Sequence, residues 1–272
     1  METTTHSVIN TDLRPADKYH RRHRMKPPQG FREKTQVWLE NTFESILCRF
    51  SALKDVAIYD NREFPWAPKV EAGWQKIRAE LDEVMLRREE IPSFHEILKE
   101  VETITTDSNW KTYFLKGVGM ECGENAKRCP ETMRIIEQIP GLTTAFFSIL
   151  SPHKHIPHHR GPYAGVLRLH LGLIIPEPRE RCRIRISNQL YSWSEGKCLI
   201  FDDTYDHEVW NDTSGHRVVL FIDFARPLRW PFNWINNWLI NLAVLAPFLR
   251  EAQGKHKAWE NKFYKKQPKV AA

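Results

Sequence analysis

Four histidines fall within residues 153–159, at His153, His155, His158 and His159, and His170, His207 and His216 follow in the next sixty residues. Neutral imidazole is a ligand for iron, zinc, copper and nickel. Two histidines and one carboxylate on one face, with open positions beside them, are the signature of a non-haem iron(II) oxygenase. Spacing alone leaves each histidine free to be a surface or core residue as well, so the elements that present them must decide.

Those elements change character along the chain. From residue 143 short runs rich in β-branched and aromatic residues succeed one another: TTAFFSIL, GVLRLHLGLII, CRIRIS, QLYSWS, KCLIFDD, DHEVWN and RVVLFIDF, with Pro, Gly, Asp and Asn between them. This texture predicts an all-β sandwich or barrel. In 166–171 strict alternation puts Arg168 and His170 on one strand face and Leu167, Leu169 and Leu171 on the other, so the polar pair points together toward a lined cavity. Upstream, apolar residues at helical spacing predict amphipathic helices over 35–53 and 70–88, and a shorter one over 129–138 with Pro130 in its first turn. Residues 1–30 contain the basic run KYHRRHRMK and no periodicity, which reads as a disordered basic tail.

Forty Lys and Arg against thirty-four Asp and Glu give a formal charge of +6, which suits an anionic partner such as a membrane surface. The basic runs at the two ends lack any pattern of base-reading residues, so nucleic acid is not an expected partner. The segment PFNWINNWLINLAVLAPFLREA at 231–252 has a wide apolar stripe, broken too often by Asn236, Asn237 and Asn241 for a transmembrane helix. It predicts an amphipathic helix that lies on anionic lipid or packs on the β domain. Five cysteines (Cys48, Cys122, Cys129, Cys182 and Cys198) form neither close pairs nor a zinc spacing, which fits a reducing cytoplasm. The first thirty residues lack the apolar run of a signal peptide, so export is not expected. No G-x-G-x-x-G, P-loop, H-E-x-x-H or G-x-S-x-G motif is present, which turns the reading away from nucleotide chemistry and serine hydrolysis.

Taken together, Ser148, HHRGPYAGVLRLHLGLIIP at 158–176, LIFDDTYDHEVWND at 199–212 and HRVVLFIDF at 216–224 resemble the aspartyl/asparaginyl β-hydroxylase family in order and spacing, across about residues 105–228. The resemblance implies an α+β chain with a double-stranded β-helix (jelly-roll) core at 141–228. A helical N-terminal support region at 31–140 and an amphipathic basic C-terminal helix at 229–272 would flank it. It implies Fe(II), 2-oxoglutarate as cosubstrate and O2, with His159 and His207 as the metal ligands at the catalytic centre. Arg217, helped by Ser148, would pair with the distal carboxylate of 2-oxoglutarate, and Arg168 and His170 would contact the carboxylate nearer the metal. The residue types agree, because a dicarboxylate needs a positive group at each end and Arg offers a fixed fork of donors. Gly161 stands where a facial triad would have Asp or Glu. The family's animal peptide hydroxylases share this two-histidine arrangement, in which water can fill the third place.

Within the family, the animal members act on Asp or Asn of secretory proteins, and the bacterial branch hydroxylates acyl chains of membrane lipids such as lipid A or ornithine lipids. The segments NWKTYFLK at 109–116, QIP at 138–140, RGPYAG at 160–165 and RPL at 226–228 are more similar to the bacterial branch. Lipid A hydroxylases generally have Asp at the Gly161 position together with hydrophobic membrane segments, which favours a smaller amino-acid lipid such as ornithine lipid. The expected protein is therefore a cytoplasmic hydroxylase of a membrane lipid's fatty acyl chain, with a peripheral position on the inner membrane as an option. Asp/Asn β-hydroxylation of peptides or amino acids stays open, as does a non-catalytic, membrane-associated jelly-roll binding protein.

Overall fold

The computed structural model describes residues 8–9, 30–120, 122–243 and 245–265. The expected tail at 1–30 lies outside these, apart from Gly30 and a two-residue strand, β1 (Val8–Ile9). Nine further strands follow: β2 (Trp110–Lys116), β3 (Leu142–Leu150), β4 (Lys154–His159), β5 (Val166–Ile174), β6 (Cys182–Ile186), β7 (Gln189–Ser192), β8 (Cys198–Phe201), β9 (His207–Asn211) and β10 (Arg217–Ala225). They form two five-stranded sheets, ordered β2-β3-β10-β5-β8 and β1-β7-β6-β9-β4. Every strand pairing is antiparallel, and after β3 each strand but β7 lies in the opposite sheet from the one before it, which is a jelly roll. The chain is α+β with a double-stranded β-helix core.

The first sheet is buried on both faces, and the sequence says why. On β5 the leucines Leu167, Leu169, Leu171 and Leu173 share one apolar cluster with Ile77 and Leu81 of α3 (Trp74–Met85) and with Ile135 and Ile136 of α6 (Pro130–Ile136). Each fully buried leucine contributes about 2 kcal/mol. The alternate residues Arg168 and His170 face the other way, into the space between the sheets. There Leu150, Ile184, Trp193, Phe201, Val209 and Val219 build a second apolar cluster.

Three elements differ from the periodicity reading, each for a local reason. β2 lies in the span read as helical. Its residues WKTYFLK are buried on nearly every side, so no two-residue alternation shows, and it pairs with β3 through Tyr113 opposite Phe147. The helix expected over 70–88 is two, α2 (Ala67–Ala72) and α3, meeting at Gly73. A Cβ at Gly73 would lie 2.5 Å from Ile135 Cδ1, so the bare backbone is what lets α6 approach. The segment after 228 is also two helices, α7 (Phe232–Ala243) and α8 (Pro247–Tyr264), with Pro247 opening the second as a first-turn residue can. The helix over 35–53 appears as α1 (Gly30–Arg49). No described helix is long and apolar enough to cross a membrane.

α8 is docked on the body. It buries Ala252, His256, Glu260 and Phe263. Glu260 Oε1 accepts from the backbone N–H groups of Glu124 and Asn125 at 3.1 and 3.0 Å, at the start of α5 (Gly123–Arg128). The Trp259 indole donates to Glu90 O at 2.8 Å.

Candidate active site

β4 and β9 meet with an irregular register. Ile156 is opposite Val209 and His159 is opposite His207, so three steps along β4 match two along β9. This β-bulge contains Pro157, which has no N–H to leave unpaired, and it turns His159 directly across from His207. The two ring centroids are 4.2 Å apart with the planes tilted by 54°. His159 Nδ1 is 2.8 Å from Pro157 O and His207 Nδ1 is 2.9 Å from Tyr205 O. A carbonyl oxygen only accepts, so each Nδ1 carries the proton and each Nε2 keeps its lone pair. Burial pushes His159 down to about 4 and, with the neighbouring His159 ring, holds His207 well below the usual histidine range. Both are thus neutral, and neutral imidazoles with a fixed tautomer are what a metal ion binds. Among the described residues no group of three or more His, Cys, Asp or Glu side chains is arranged to hold an ion, so this pair stands without a third ligand of those types.

From the pair a row of aromatic rings leads inward. Phe201 packs edge-on to both His207 and His170, with centroids 5.7 and 5.1 Å away. His170 also meets Phe221 at 5.2 Å and Trp193 at 6.0 Å, and neither of its ring nitrogens has a hydrogen-bond partner. Beyond Trp193 lies Arg217, whose guanidinium carbon is 4.8 Å from the Trp193 ring centroid. Its one side-chain neighbour by hydrogen bond is Ser148 Oγ, at a long 3.5 Å, and its Nε is unpaired. Burial pulls Arg217 down to about 10. The Ser148 hydroxyl is in turn held by the Trp110 indole N–H at 3.0 Å. A fully buried guanidinium without a carboxylate partner is costly to the folded chain, and an incoming carboxylate would relieve that cost.

Arg168 is placed differently from Arg217. Its Nε and Nη2 donate to the two oxygens of Asp223 at 2.9 and 3.0 Å, its Nη2 lies 2.8 Å from Asp203 Oδ2, and its guanidinium sits 4.2 Å from the Phe221 ring centroid. It is a clamped residue rather than a waiting one. Asp203 is buried, and burial pushes its carboxyl up to about 7 against the pull of Arg168. Its carbonyl accepts from the Gly161 N–H at 2.7 Å, and a Cβ on Gly161 would collide with the Asp203 carboxylate. The volume that an H-x-D side chain would need is thus filled from β8–β9, and Asp203 Oδ1 has no hydrogen-bond partner there. Of the other acids, Asp202 accepts from Thr204 and pairs with Arg226, and Asp206 pairs with Arg185. Sequence reading missed Trp110, Trp193, Asp203 and Asp223 as members of this region. Asp203 lies four residues before His207 in the sequence, but its contact with Gly161 comes only from the fold.

Comparison with known proteins gives the family. The family model described as aspartyl/asparaginyl β-hydroxylase matches residues 71–227. The chain is 52% identical over 221 residues to the ornithine lipid ester-linked acyl 2-hydroxylase of Rhizobium tropici, covering 81% of this chain and 79% of that protein. It is 34% identical over 181 residues to the aspartyl/asparaginyl β-hydroxylase of Homo sapiens, covering 61% of this chain but 23% of the human protein. Among solved structures, a prolyl-4-hydroxylase of Pseudomonas putida aligns at 17% identity and a TM-score of 0.37, over 57% of this chain and 88% of that one. On the family match and on the extent of the rhizobial similarity, the chain belongs to the aspartyl/asparaginyl β-hydroxylase family.

Proposed function

We propose that this chain is an Fe(II)- and 2-oxoglutarate-dependent hydroxylase that acts on the fatty acyl chain of an ornithine-lipid-type membrane lipid. The observation that carries the cosubstrate is Arg217, a buried guanidinium with no carboxylate partner among the described residues, at the far end of a row of packed rings from two neutral histidines. In this reading His159 and His207 hold the iron through Nε2. Arg217 and Ser148 take the distal carboxylate, and Trp110 and Trp193 fix those two side chains in place. His170 has two unpaired nitrogens to offer the cosubstrate between them, and Arg168 keeps Asp203 beside Gly161. When bound, the iron and 2-oxoglutarate supply oxidative decarboxylation to succinate and CO2, coupled to insertion of one oxygen atom of O2 into a C–H bond. The apolar rings of Phe201, Phe221 and Trp193 exclude water around that chemistry.

The lipid substrate rests on the rhizobial relative, which is similar over more of both chains and at higher identity than the human peptide enzyme. The test is mass spectrometry of a bacterial membrane-lipid extract incubated with the protein, Fe(II), ascorbate and 2-oxoglutarate, beside matched Asp- and Asn-containing peptides. An ornithine lipid that gains one oxygen only when 2-oxoglutarate is present is the expected result. A modified peptide beside untouched lipid would overturn the substrate, and oxygen gain without 2-oxoglutarate would overturn the cosubstrate.

A further inference from the structure

Two helices on the surface are turned inside out. In α7 the single fully buried residue is polar, Asn236, while Trp234 and Trp238 are 67% and 52% exposed and Leu242 stands in solvent beside them. In α1 Leu47 is buried in the ordinary way, but the charged Glu44 is buried with it, while Trp38, Leu39 and Phe43 face outward. An ordinary surface helix does the reverse. The polar residues turned inward have one task in common. Asn236 Nδ2 donates to Gly165 O at 2.8 Å and its Oδ1 accepts from the Tyr163 hydroxyl at 2.6 Å, while Glu44 accepts from Arg160 Nη2 at 2.6 Å. Both helices therefore hold the 160–165 loop, which begins directly after His159. They also touch each other at that loop, where Phe50 stacks on Phe232 with centroids 3.9 Å apart and Phe43 stacks on Tyr163.

From Phe224 to Arg250 the chain contains no Asp or Glu, and of its three arginines Arg229 and Arg250 are exposed while Arg226 is buried against Asp202. α1 is balanced, with Arg32, Lys34 and Arg49 against Glu33, Glu40 and the inward Glu44, so the positive charge of the face comes from the α7 side. Exposed tryptophan next to arginine is the composition that sits at the headgroup level of a bilayer, where the ring is apolar and its N–H stays wet. A second copy of this chain would bring no excess of negative charge, since the chain itself is at +6.

We infer that the exposed faces of α1 and α7 form one docking surface for an anionic phospholipid bilayer, with the 160–165 loop at its centre. Docking sets the mouth of the metal pair against the headgroup layer, so an acyl chain can enter without the whole lipid crossing water. The second half of this statement rests on the lipid hydroxylase reading above, and the docking itself does not. α8 is a built-in contrast, since its Trp259 and Phe263 pack on the body and contribute nothing to the face.

Co-flotation of the full-length protein with vesicles of phosphatidylethanolamine and phosphatidylglycerol at 3:1, without iron or 2-oxoglutarate, tests the surface independently of turnover. The Trp234→Ser/Trp238→Ser and Trp38→Ser/Phe43→Ser variants should each reduce the vesicle-bound fraction at least about tenfold relative to wild type. Vesicles of pure phosphatidylcholine should bind weakly, and added salt should release the protein by screening the basic rim. Hydroxylation of a short-chain substrate analogue that stays dispersed should be unchanged in the same variants, which also shows that they are folded. Unchanged flotation of both variants would overturn the surface, and so would sedimentation of the wild type as a dimer that Trp238→Ser turns into a monomer. Intact flotation with no lipid hydroxylation would leave the docking surface standing and remove the lipid-substrate reading instead.

Discussion

Among the described residues, His170 is buried between the sheets with neither ring nitrogen paired and Arg217 with no carboxylate and only a long contact to Ser148, whereas Trp234 and Trp238 stand in solvent on α7. The two regions break the usual partition of polar and apolar groups in opposite directions, and the second half of α8 shows what the chain does elsewhere, with Trp259 and Phe263 turned inward. A sequence shaped by folding alone would have an apolar residue at 217 and a lysine at 238. In both regions the missing partner is one that the described residues do not supply: an anion with a carboxylate inside, and a surface both apolar and anionic outside. Folding energy given up at a site is therefore a map of what binds there.

The sharpest way to break that comparison is at the metal pair. His207→Ala removes one of two tautomer-fixed imidazoles, and hydroxylated lipid should fall at least about 100-fold. The wild-type ring is neutral, so no charge pairing is lost, and the apo melting temperature should fall only by the cost of one small cavity and of the hydrogen bond to Tyr205 O. A variant that retains turnover would sink the ligand assignment. Next comes Arg217→Met, for which the two halves of the comparison predict opposite signs. Binding of 2-oxoglutarate should weaken at least about 100-fold. The apo protein should become more stable by about 1–4 kcal/mol, because a buried cation without a carboxylate is replaced by the unbranched apolar side chain nearest to it in length. Scanning fluorimetry reads both, as a raised apo melting temperature and the loss of the further rise that 2-oxoglutarate with Mn(II) gives the wild type. A melting temperature several degrees lower would make Arg217 a structural residue.

How much of this was legible depended on whether a residue's role was set locally. The alternation of Leu167, Arg168, Leu169 and His170 is visible because one face of β5 meets the helices and the other meets the site. β2 was hidden because burial on nearly every side erases alternation, and the two helix breaks at Gly73 and Pro247 had signals that a wider apolar pattern masked. The histidines could be picked out by type, but their opposition needs the bulge at Pro157, and a bulge is a property of two strands rather than one. The likeness of Arg168 and Arg217 in sequence conceals a real difference. One is clamped by Asp203 and Asp223 and the other has no carboxylate, and those partners lie 35 and 55 residues from Arg168 along the chain. The outward face of α7 read correctly as an apolar stripe, while its inward Asn236, which had looked like an interruption, is what ties the helix to Gly165 and Tyr163.

Gly161 gives the smallest and most local test, because it lies where the two regions join, between His159 and the loop that α1 and α7 hold. Its missing side chain is occupied space: a methyl group there meets the Asp203 carboxylate, which is itself fixed by Arg168 and by the Gly161 N–H to Asp203 O bond. Neither neighbour can yield without parting a buried ion pair. Gly161→Ala should therefore cost about 1–3 kcal/mol of stability, the usual penalty of overpacking, read by urea denaturation. Asp203→Ala on its own should also destabilise, since it leaves Arg168 with Asp223 alone. The informative variant is the double one, because with the carboxylate gone the new methyl group has room. Gly161→Ala/Asp203→Ala should then cost clearly less than the sum of the two single variants, a coupling of the kind that only groups in contact show. Strict additivity would mean that the glycine is there for backbone freedom, and that Asp203 does not fill the place a third ligand would take.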